Sequence, residues 1–524
     1  MTKKILLLSL LLFSIFAFNT SYAQDISVIE GAEIKSKMSM IKVVGEFDNN
    51  VVAVFYSKKK YYLRSYNENL EIVKYKELDL TYKGKEMDYA GVVEIKNRLF
   101  SLARFNNKKT KKNYLLYQEI DPKTFNVIKK LSVLGEIPYS KKRNDGGFSF
   151  AYSQNQQRVL IYHFLPYDKG GKQKLAFSVL DSNLTKIWGK KITLPYSDKL
   201  FAIHDFEVDD EGNVYIIGKK WRGKRKDIVD GKVNFEFYIL RYRKDESDNQ
   251  EYKLALKGKY ITQVKLAMDP KLNLICAGFY SNNKGYGGLG GSFMLKIDHK
   301  DGDVITSDYQ DFSVEFMTSL MSKRRQEKAK KKSKKMKKKG KNFEMPIYDL
   351  DNLVIRDDGG VLLVAEREFV ISHTHTDANG NTYTTYTYYT NNIIVVNFNP
   401  DGSVKWMRRV PKSQSAGGTY YLSYVSATYE DNIYFIYNDY IKNKDIRDEK
   451  EFKHFAVNLK YANLVAYKIN GKGETDYLPL FPAGKGSTLV VPKRSTQLKH
   501  SNDIILYSVA KKKQRLYRIV FEEE

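Results

Sequence analysis

The sequence is poor in cysteine, histidine and proline for its length. Among 524 residues there are one Cys, seven His and 11 Pro. A single cysteine excludes an internal disulfide and any zinc site that needs several cysteine ligands. Cys276 lies in the apolar run of residues 274–277, so we expect it to be a buried small hydrophobic side chain rather than a reactive thiol.

Long apolar runs are missing after the first 23 residues. Residues 5–18 form an apolar run behind Lys3 and Lys4, and Ser21 and Ala23 are the small residues that a signal peptidase needs. A run of about 14 residues is too short to span a bilayer. We therefore predict a signal peptide over residues 1–23 and an exported protein, periplasmic or secreted, without a transmembrane segment. Because Gln24 is not cysteine, bacterial lipid anchoring is not expected.

The composition is that of a folded protein with a large positive charge. Hydrophobic residues make up 42% of the chain and aromatic residues 14%, which excludes a disordered chain. Lys and Arg number 88 against 61 Asp and Glu, a formal net charge of +27. The basic excess favours an anionic partner, provided that the charges cluster on one surface.

One pattern recurs along the chain: a short polar turn, then an apolar strand of alternating type, then two further strand-like segments. The recurring units lie near residues 41–80, 88–134, 147–196, 203–257, 260–312, 347–412, 420–481 and 488–522. A four-stranded meander of this size cannot bury both faces alone, so the copies must stack on one another. We predict an all-β fold, a single β-propeller over residues 24–524 with eight four-stranded blades. Seven blades are the alternative count, and two β-sandwich domains the alternative architecture.

The last unit lacks a fourth strand, because the chain stops soon after residues 517–521. The isolated apolar segment at residues 26–29 could supply that strand. Such a pairing would close the ring and leave no free edge strand.

Two turns, each followed by a tryptophan, resemble turns of a known class of repeat proteins. The turn at residues 181–183 with Trp188, and Asp401-Gly402 with Trp406, resemble blade turns of quinoprotein-like and WD40-like β-propellers of the bacterial envelope. The resemblance is one of architecture and extends over nearly all of the chain after the signal peptide. The blades carry no repeated tryptophan docking motif and no residue set for a quinone. The resemblance therefore implies neither a cofactor nor an enzymatic activity.

The connections between strands divide the charge. If the strands of a blade are named a to d, the b–c and d–a connections share one side of the ring, and a–b and c–d share the other. The predicted b–c loops are rich in lysine, whereas several a–b and c–d turns are acidic. The candidate binding residues in two of the b–c loops are Lys108, Lys109, Lys111, Lys112, Lys219, Lys220, Trp221, Arg222 and Arg225.

The densest basic segment is residues 323–341, in which 13 of 19 residues are Lys or Arg and one is Glu. Like charges at this density repel one another, so we predict a disordered insertion at about residues 320–343 in a d–a connection. Its candidate binding residues are Lys330, Lys331, Lys332, Lys334, Lys335, Lys337, Lys338 and Lys339. The insertion is either a solubilising segment without a partner or an electrostatic arm for an anionic envelope component or acidic protein surface. Export disfavours nucleic acid, although Trp221 among basic residues suits it.

Candidate chemistry is sparse. His204, Asp205, Asp349 and Asp351 are placed near the starts of two innermost strands, where a general acid and base could work. His373 and His375 have strand spacing that puts both rings on one face, but an exposed hairpin explains them without a metal. We therefore expect a non-enzymatic interaction or scaffold module of the cell envelope that binds an anionic partner through its basic face. A periplasmic hydrolase or lyase working at the channel mouth is the alternative.

Overall fold

The computed structural model describes residues 26–139, 146–166, 170–246, 249–285, 288–482 and 488–522. The predicted signal peptide lies outside these ranges. Within them the chain is mostly antiparallel β-strand, with two α-helices and a few short 3-10 turns. The prediction of an all-β fold is confirmed.

The strands of the described residues form eight sheets of four or more strands, which we number 1 to 8 in chain order. Two strands precede sheet 1, namely β1 (Ile26–Glu30) and β2 (Ile34–Lys35). The strands up to the end of sheet 4 are β3 (Ser39–Phe47), β4 (Asn50–Ser57), β5 (Lys60–Tyr66), β6 (Ile72–Glu77), β7 (Thr81–Tyr82), β8 (Lys85–Glu86), β9 (Asp88–Ile95), β10 (Arg98–Asn107), β11 (Lys112–Ile120), β12 (Val127–Pro138), β13 (Ser149–Tyr152), β14 (Arg158–Leu165), β15 (Lys172–Asp181), β16 (Lys186–Ser197), β17 (Phe201–Val208), β18 (Val214–Trp221), β19 (Ile228–Val229), β20 (Lys232–Val233), β21 (Phe235–Tyr242) and β22 (Gln250–Leu254).

Sheets 5 to 8 follow in the same manner, with both α-helices between sheets 5 and 6. Their elements are β23 (Tyr260–Met268), β24 (Leu274–Ser281), β25 (Gly291–Ile297), β26 (Val304–Asp311), α1 (Val314–Thr318), α2 (Lys323–Lys337), β27 (Asp349–Ile355), β28 (Val361–Thr376), β29 (Thr382–Phe398), β30 (Val404–Val410), β31 (Gln414–Ala416), β32 (Val425–Tyr429), β33 (Asn432–Tyr440), β34 (Phe455–Ala456), β35 (Ala462–Ile469), β36 (Thr475–Pro482), β37 (Leu489–Val490), β38 (Thr496–Gln497), β39 (Ile504–Ala510) and β40 (Lys513–Phe521).

Sheets 1 to 3 and 5 are consecutive four-stranded meanders, and the others are variations of that plan. β7 with β8, and β19 with β20, form separate small hairpins, so the strand order of sheet 4 is β17-β18-β21-β22. β34 belongs to sheet 6, so the strand order of sheet 7 is β32-β33-β35-β36. Sheet 6 adds β31 and β34 beside β29. In sheets 1 to 7 we name the four main strands a to d in chain order. In sheet 8, β38, β39 and β40 are a, b and c, and β1 is d.

Tight turns between the first two strands of a sheet explain why these segments pair locally. At the β3–β4 turn, Asp48 and Asn49 both have positive φ, 46° and 63°. Two successive residues with positive φ form the type I′ turn, whose twist matches that of the flanking strands. Lys96 and Asn97 repeat the arrangement at the β9–β10 turn, with φ of 50° and 59°.

The sheets pack on one another in chain order. Each consecutive pair, from sheets 1 and 2 to sheets 7 and 8, shares one hydrophobic cluster. A further cluster joins sheet 8 to sheet 1, with Ile505 and Leu516 against Val51 and Phe55. The first strands of neighbouring sheets also touch, for example β17 with β23 and β23 with β27.

The strand β1 completes sheet 8, although it lies at the other end of the chain. It pairs antiparallel with β40, from Ile26 opposite Phe521 to Glu30 opposite Tyr517. Ile26 is 4% exposed and belongs to the cluster between sheets 7 and 8. The pairing of residues 26–29 with the last strand, predicted from the sequence, is present.

The basic segment is helical, which corrects the prediction of a disordered insertion at residues 320–343. Residues 323–337 form α2, which contacts α1. Lys, Arg, Gln, Glu and Ala are all good helix formers, so local propensity favours the helix against the charge repulsion. The four uncharged residues of α2 lie on one side at spacings of three and four, namely Gln326, Ala329, Ser333 and Met336.

Candidate anion-binding surface

The two ends of the strands carry opposite charge. In the described residues the b–c connections include Lys58, Lys59, Lys108, Lys109, Lys111, Lys511 and Lys512, and α2 lies in the d–a connection from sheet 5 to sheet 6. The a–b and c–d turns include Asp209, Asp210, Glu211, Asp298, Asp301, Asp303, Asp357, Asp358, Glu430 and Asp431. We call the first end of the strands the basic side and the second the acidic side.

Hydrogen bonds between sheets show that connections of one kind lie together. On the basic side, the amide of Val233, in the b–c connection of sheet 4, donates to the carbonyl of Lys284, in the b–c connection of sheet 5, at 2.7 Å. The amide of Asn342, just after α2, donates to the Asn283 side chain at 2.8 Å. On the acidic side, the amide of Asn155 in sheet 3 donates to Asp210 of sheet 4 at 3.1 Å.

The helix α2 is docked through its uncharged face. Ala329 is buried, and Gln326, Ser333 and Met336 are half-buried, whereas every charged residue of the helix is exposed. The Gln326 side-chain amide donates to the carbonyl oxygens of Thr318 and Met321, at 3.2 and 2.9 Å. The helix is therefore held against the body while its cations face solvent.

Contacts from the middle of α2 and from the segment after it add to this anchorage. Lys330 forms an ion pair with Glu315 at 3.1 Å, and the Lys332 ammonium lies 5.9 Å from the centroid of the Phe343 ring. After the helix, the Glu344 carboxylate accepts from the amide of Asn282 at 2.6 Å. The segment returns to sheet 5, which leaves little freedom for α2 to swing away.

The remaining predicted lysines of this segment have no counter-ion. Within the described part of the chain, six exposed lysines form neither an ion pair nor a hydrogen bond through their side chains: Lys331, Lys334, Lys335, Lys337, Lys338 and Lys339. Basic residues in the last helical turn suit the negative end of the helix dipole. The helix thus presents a dense, ordered and unneutralised block of positive charge.

The predicted site residues in sheet 4 are largely occupied by internal contacts. Lys219 forms an ion pair with Asp227 at 2.7 Å, and burial lowers the pKa of its ammonium group. Trp221 is 8% exposed and its indole N–H donates to Asp227 at 2.8 Å. The guanidinium of Arg225 covers the Trp221 ring at 4.9 Å. The ring therefore offers no exposed stacking platform, which removes the feature that suited nucleic acid.

Two more predicted residues of this connection are engaged in the same way. The Lys220 ammonium lies 4.3 and 4.8 Å from the centroids of the Tyr196 and Tyr238 rings. Arg222 forms an ion pair with Glu236. These residues contribute charge to the basic side but are not free side chains.

The predicted residues of sheet 2 lie on the basic side but far from α2 in the packing order. Lys108, Lys109 and Lys111 are exposed in the β10–β11 connection, and Lys112 forms an ion pair with Glu136 at 2.7 Å. Sheets 3 and 4 separate them from sheet 5. The structure thus divides the predicted binding residues among three places on one side.

The four candidate catalytic residues lie in two strands that are not neighbours. His204 and Asp205 belong to β17, whereas Asp349 and Asp351 belong to β27, and β23 lies between these strands. Among the described residues no hydrogen bond or ion pair joins the two pairs. The His204 ring packs edge-on against Phe237 with centroids 5.6 Å apart, and burial lowers its pKa.

Asp351 lines a cavity in the described structure. The cavity has a volume of about 370 Å³ and is also lined by Tyr424 and Lys493. The Tyr424 hydroxyl donates to Asp351 at 2.8 Å. Burial, followed by the nearby charge of Glu366, raises the pKa of Asp351 to about 7.

This raised pKa predicts a pH-dependent contribution to stability. Between the ordinary pKa of 3.8 and the folded value of about 7, the folded chain retains a proton that the unfolded chain has lost. The contribution of Asp351 to stability therefore falls as pH rises through that interval. We expect Asp351→Asn to stabilise the protein more at pH 8 than at pH 5, measured by urea unfolding. An equal effect at both values would contradict the shift.

The remaining sequence candidates have structural explanations. His375 stacks on Tyr383 with centroids 5.2 Å apart, and Asp377 accepts from the amides of Asn379 and Asn381 in the turn at the hairpin tip. No group of three or more His, Cys, Asp or Glu residues able to hold a metal occurs in the described ranges. Cys276 is fully buried, as predicted.

Sequence reasoning missed a buried ion pair in sheet 6. Lys412 and Glu366 have fully buried side chains with their charged atoms 2.6 Å apart. They are 46 positions apart in the chain, and no local pattern marks either residue. Signals for the helicity of α2 were present, however, in the spacing of its four uncharged residues.

Comparison with known proteins adds only loose structural likenesses. No protein-family model matches this chain, and no curated protein matches it. The WD40 domain of SCAP from fission yeast has 8% identity and a TM-score of 0.38, covering 95% of this chain and 99% of that chain. Drosophila Plexin A in complex with Semaphorin 1b has 10% identity and a TM-score of 0.31, covering 95% and 88%. TM-scores this low carry no argument about function.

No helix among the described residues has the length and apolar character that crossing a membrane requires.

Proposed function

We propose that this protein is an exported β-propeller of eight blades, closed by β1, that serves as a non-enzymatic interaction module of the cell envelope. Its basic side, centred on α2, binds an anionic surface. The cyclic order of the hydrophobic clusters and the pairing of β1 with β40 support the closed ring. The features of residues 1–23 support export.

The observation that carries the proposed binding is the orientation of α2. All of its charged residues are exposed, and all of its uncharged residues face the body. A docked helix presents its cations without the ordering cost that a disordered arm pays when it binds. The same orientation would be unnecessary for a merely solubilising segment.

The clustering of charge matters more than the net charge. At physiological salt the Debye length is about 8 Å, so cations scattered over a large protein act separately. The cations of α2 lie on a helix about 22 Å long, from a rise of about 1.5 Å per residue. Each lysine near an anionic membrane contributes about 1 kcal/mol. Several of them acting together give binding that is strong at low salt and weak at high salt.

Neutralising exposed lysines of α2, together with Lys338 directly after it, tests this function. We expect the quintuple variant Lys328→Gln, Lys331→Gln, Lys334→Gln, Lys335→Gln and Lys338→Gln to lose binding to vesicles that contain anionic lipid. At about 1 kcal/mol for each lysine, the partition coefficient should fall by at least about 100-fold, measured by co-sedimentation at low salt. Glutamine is a good helix former, so α2 should persist.

The matched control removes the same charge elsewhere. The variant Lys74→Gln, Lys186→Gln, Lys271→Gln, Lys300→Gln and Lys472→Gln changes five exposed lysines outside the basic side. It should bind vesicles nearly as the unchanged protein does, and circular dichroism should show both variants folded. Equal loss in the two variants would show that only net charge matters. Equal retention would remove α2 from the proposal.

A further inference from the structure

A cavity of about 670 Å³ opens beside the start of α2. It lies between the segment that joins α1 to α2, the last strand of sheet 6 and the b–c connection of sheet 7. Its cationic lining residues are Arg408 and Arg409 of β30, and Arg447 and Lys450 of that connection. The volume falls within the range of about 300 to 1,000 Å³ that is usual for small-molecule sites.

The three arginines of this cavity have no anionic partner. In the residues that the structure describes, no carboxylate oxygen lies within 4.0 Å of the guanidinium groups of Arg408, Arg409 and Arg447. Arg409 is only 9% exposed. Its guanidinium donates to the carbonyl of Met317 at 2.9 Å and to the Tyr348 hydroxyl at 3.3 Å, both neutral groups.

A buried guanidinium without a counter-ion is costly, because its hydration is lost and no opposite charge compensates. Arg408 adds a second charge nearby and donates only to carbonyl oxygens, including that of Met407 at 3.0 Å. Arg447 is exposed and forms no hydrogen bond or ion pair within the described ranges. A bound anion in the cavity would supply the opposite charge that these groups lack.

Two carboxylates also line the cavity, but both are engaged elsewhere. The Asp448 side chain accepts from the amide of Lys450 at 3.0 Å and caps the 3-10 turn Glu449–Glu451. Glu449 accepts from the Tyr467 hydroxyl at 2.5 Å, and burial raises the pKa of this carboxyl group. Neither group neutralises the arginines.

We infer that this cavity binds a small organic anion, in which a carboxylate or phosphate monoester head group is attached to an apolar body. The planar fork of arginine matches both oxyanions with paired N–H donors. Phe316, Leu320 and Met407 line the same cavity and offer apolar contact to the rest of the ligand. This site goes beyond the proposed surface binding, since it selects a molecule rather than a charged surface.

Titration calorimetry with four probes tests the inference on the full chain after the signal peptide. Hexyl phosphate and hexanoate carry the two head groups on one apolar chain, inorganic phosphate lacks the chain, and hexyl glucoside lacks the charge. We expect hexyl phosphate or hexanoate to bind at least about 10-fold more tightly than either inorganic phosphate or hexyl glucoside. The stronger of the two anions identifies the head group. Binding of the neutral glycoside at the same affinity, or no binding of either anion, would overturn the inference.

Variants locate the binding. Arg447→Gln alters an exposed side chain without internal partners, so it should fold normally and weaken the anion roughly 10-fold or more, the loss of one charge-assisted contact. Arg408→Gln should have a similar or larger effect. Arg104→Gln, an exposed arginine of sheet 2, is the matched control and should bind as the unchanged protein does. The five-lysine variant of α2 should also retain the anion, which separates this site from the proposed surface. Unchanged affinity in Arg447→Gln and Arg408→Gln would overturn the assignment.

Discussion

Replacing Lys412 with methionine should destabilise the protein by about 3–5 kcal/mol, the cost of leaving one partner of a buried ion pair alone. The Lys412 ammonium contacts Glu366 at 2.6 Å, the Thr390 carbonyl at 3.0 Å and the Gln414 side-chain oxygen at 3.1 Å. Glu366 in turn accepts from the Ser423 hydroxyl at 2.6 Å. Methionine has nearly the volume of lysine, so the loss reports charge and hydrogen bonding rather than a cavity. Urea unfolding measures it.

A double-mutant cycle separates the pair from its surroundings. Glu366→Gln removes the second charge but keeps an oxygen that can accept from Ser423. The double variant Lys412→Met with Glu366→Gln should therefore be less destabilised than the sum of the two single variants, because no uncompensated charge stays buried. Lys442→Met, at an exposed position of the same side of the molecule, should change stability by less than about 0.5 kcal/mol. Strict additivity in the cycle would contradict the coupling.

The strands could be predicted because their signals are local. Alternating apolar residues and tight turns act within a few positions, so the predicted unit at residues 260–312 nearly coincides with β23 to β26, residues 260–311. The pairing of β1 with β40 spans the whole chain, yet it could be predicted because the last unit lacked one strand and only one apolar segment was left over.

The basic helix shows how one rule can hide another. Charge density predicts repulsion and disorder, whereas the residue types of this segment favour a helix. The docked face depends on four uncharged residues among eleven charged ones, and their spacing was readable. A test for periodicity in the uncharged positions would have found the helix.

Burial and distant partners could not be predicted. The sequence places Trp221 among cations, but only the fold shows that the ring is covered by Arg225 and bonded to Asp227. Lys412 depends on residues of sheet 6 that are distant in the chain, and Arg408 and Arg409 depend on neighbours in sheet 7 and α1. Such contacts produce no periodic pattern in the sequence. The sequence therefore indicated candidate sites only through the positions of charged residues.

The proposed closure of the ring predicts the second large effect. A chain that begins at Gly31 lacks β1 but retains β2, which also pairs with β40. It loses the five-residue ladder from Ile26 to Glu30 and leaves the outer edge of β40 unpaired along residues 517–521. An open edge is a template for pairing with another chain. We expect a marked loss of stability and self-association, measured by urea unfolding and by light scattering.

Two further measurements make this test specific to closure. Ile26→Ala keeps the ladder and removes only buried side-chain contacts, so it should cost about 2 kcal/mol or somewhat more without causing self-association. A synthetic peptide of residues 24–32, added to the truncated chain, should bind the open edge and restore both stability and the monomer, because strand addition supplies the missing backbone partners. β1 comes from the opposite end of the chain to β40, and its Ile26 packs in the hydrophobic cluster between sheets 7 and 8. If the truncated chain were as stable as the intact one and stayed monomeric, β1 would be a peripheral strand, and the ring would have to hold together through the hydrophobic cluster between sheets 8 and 1 alone.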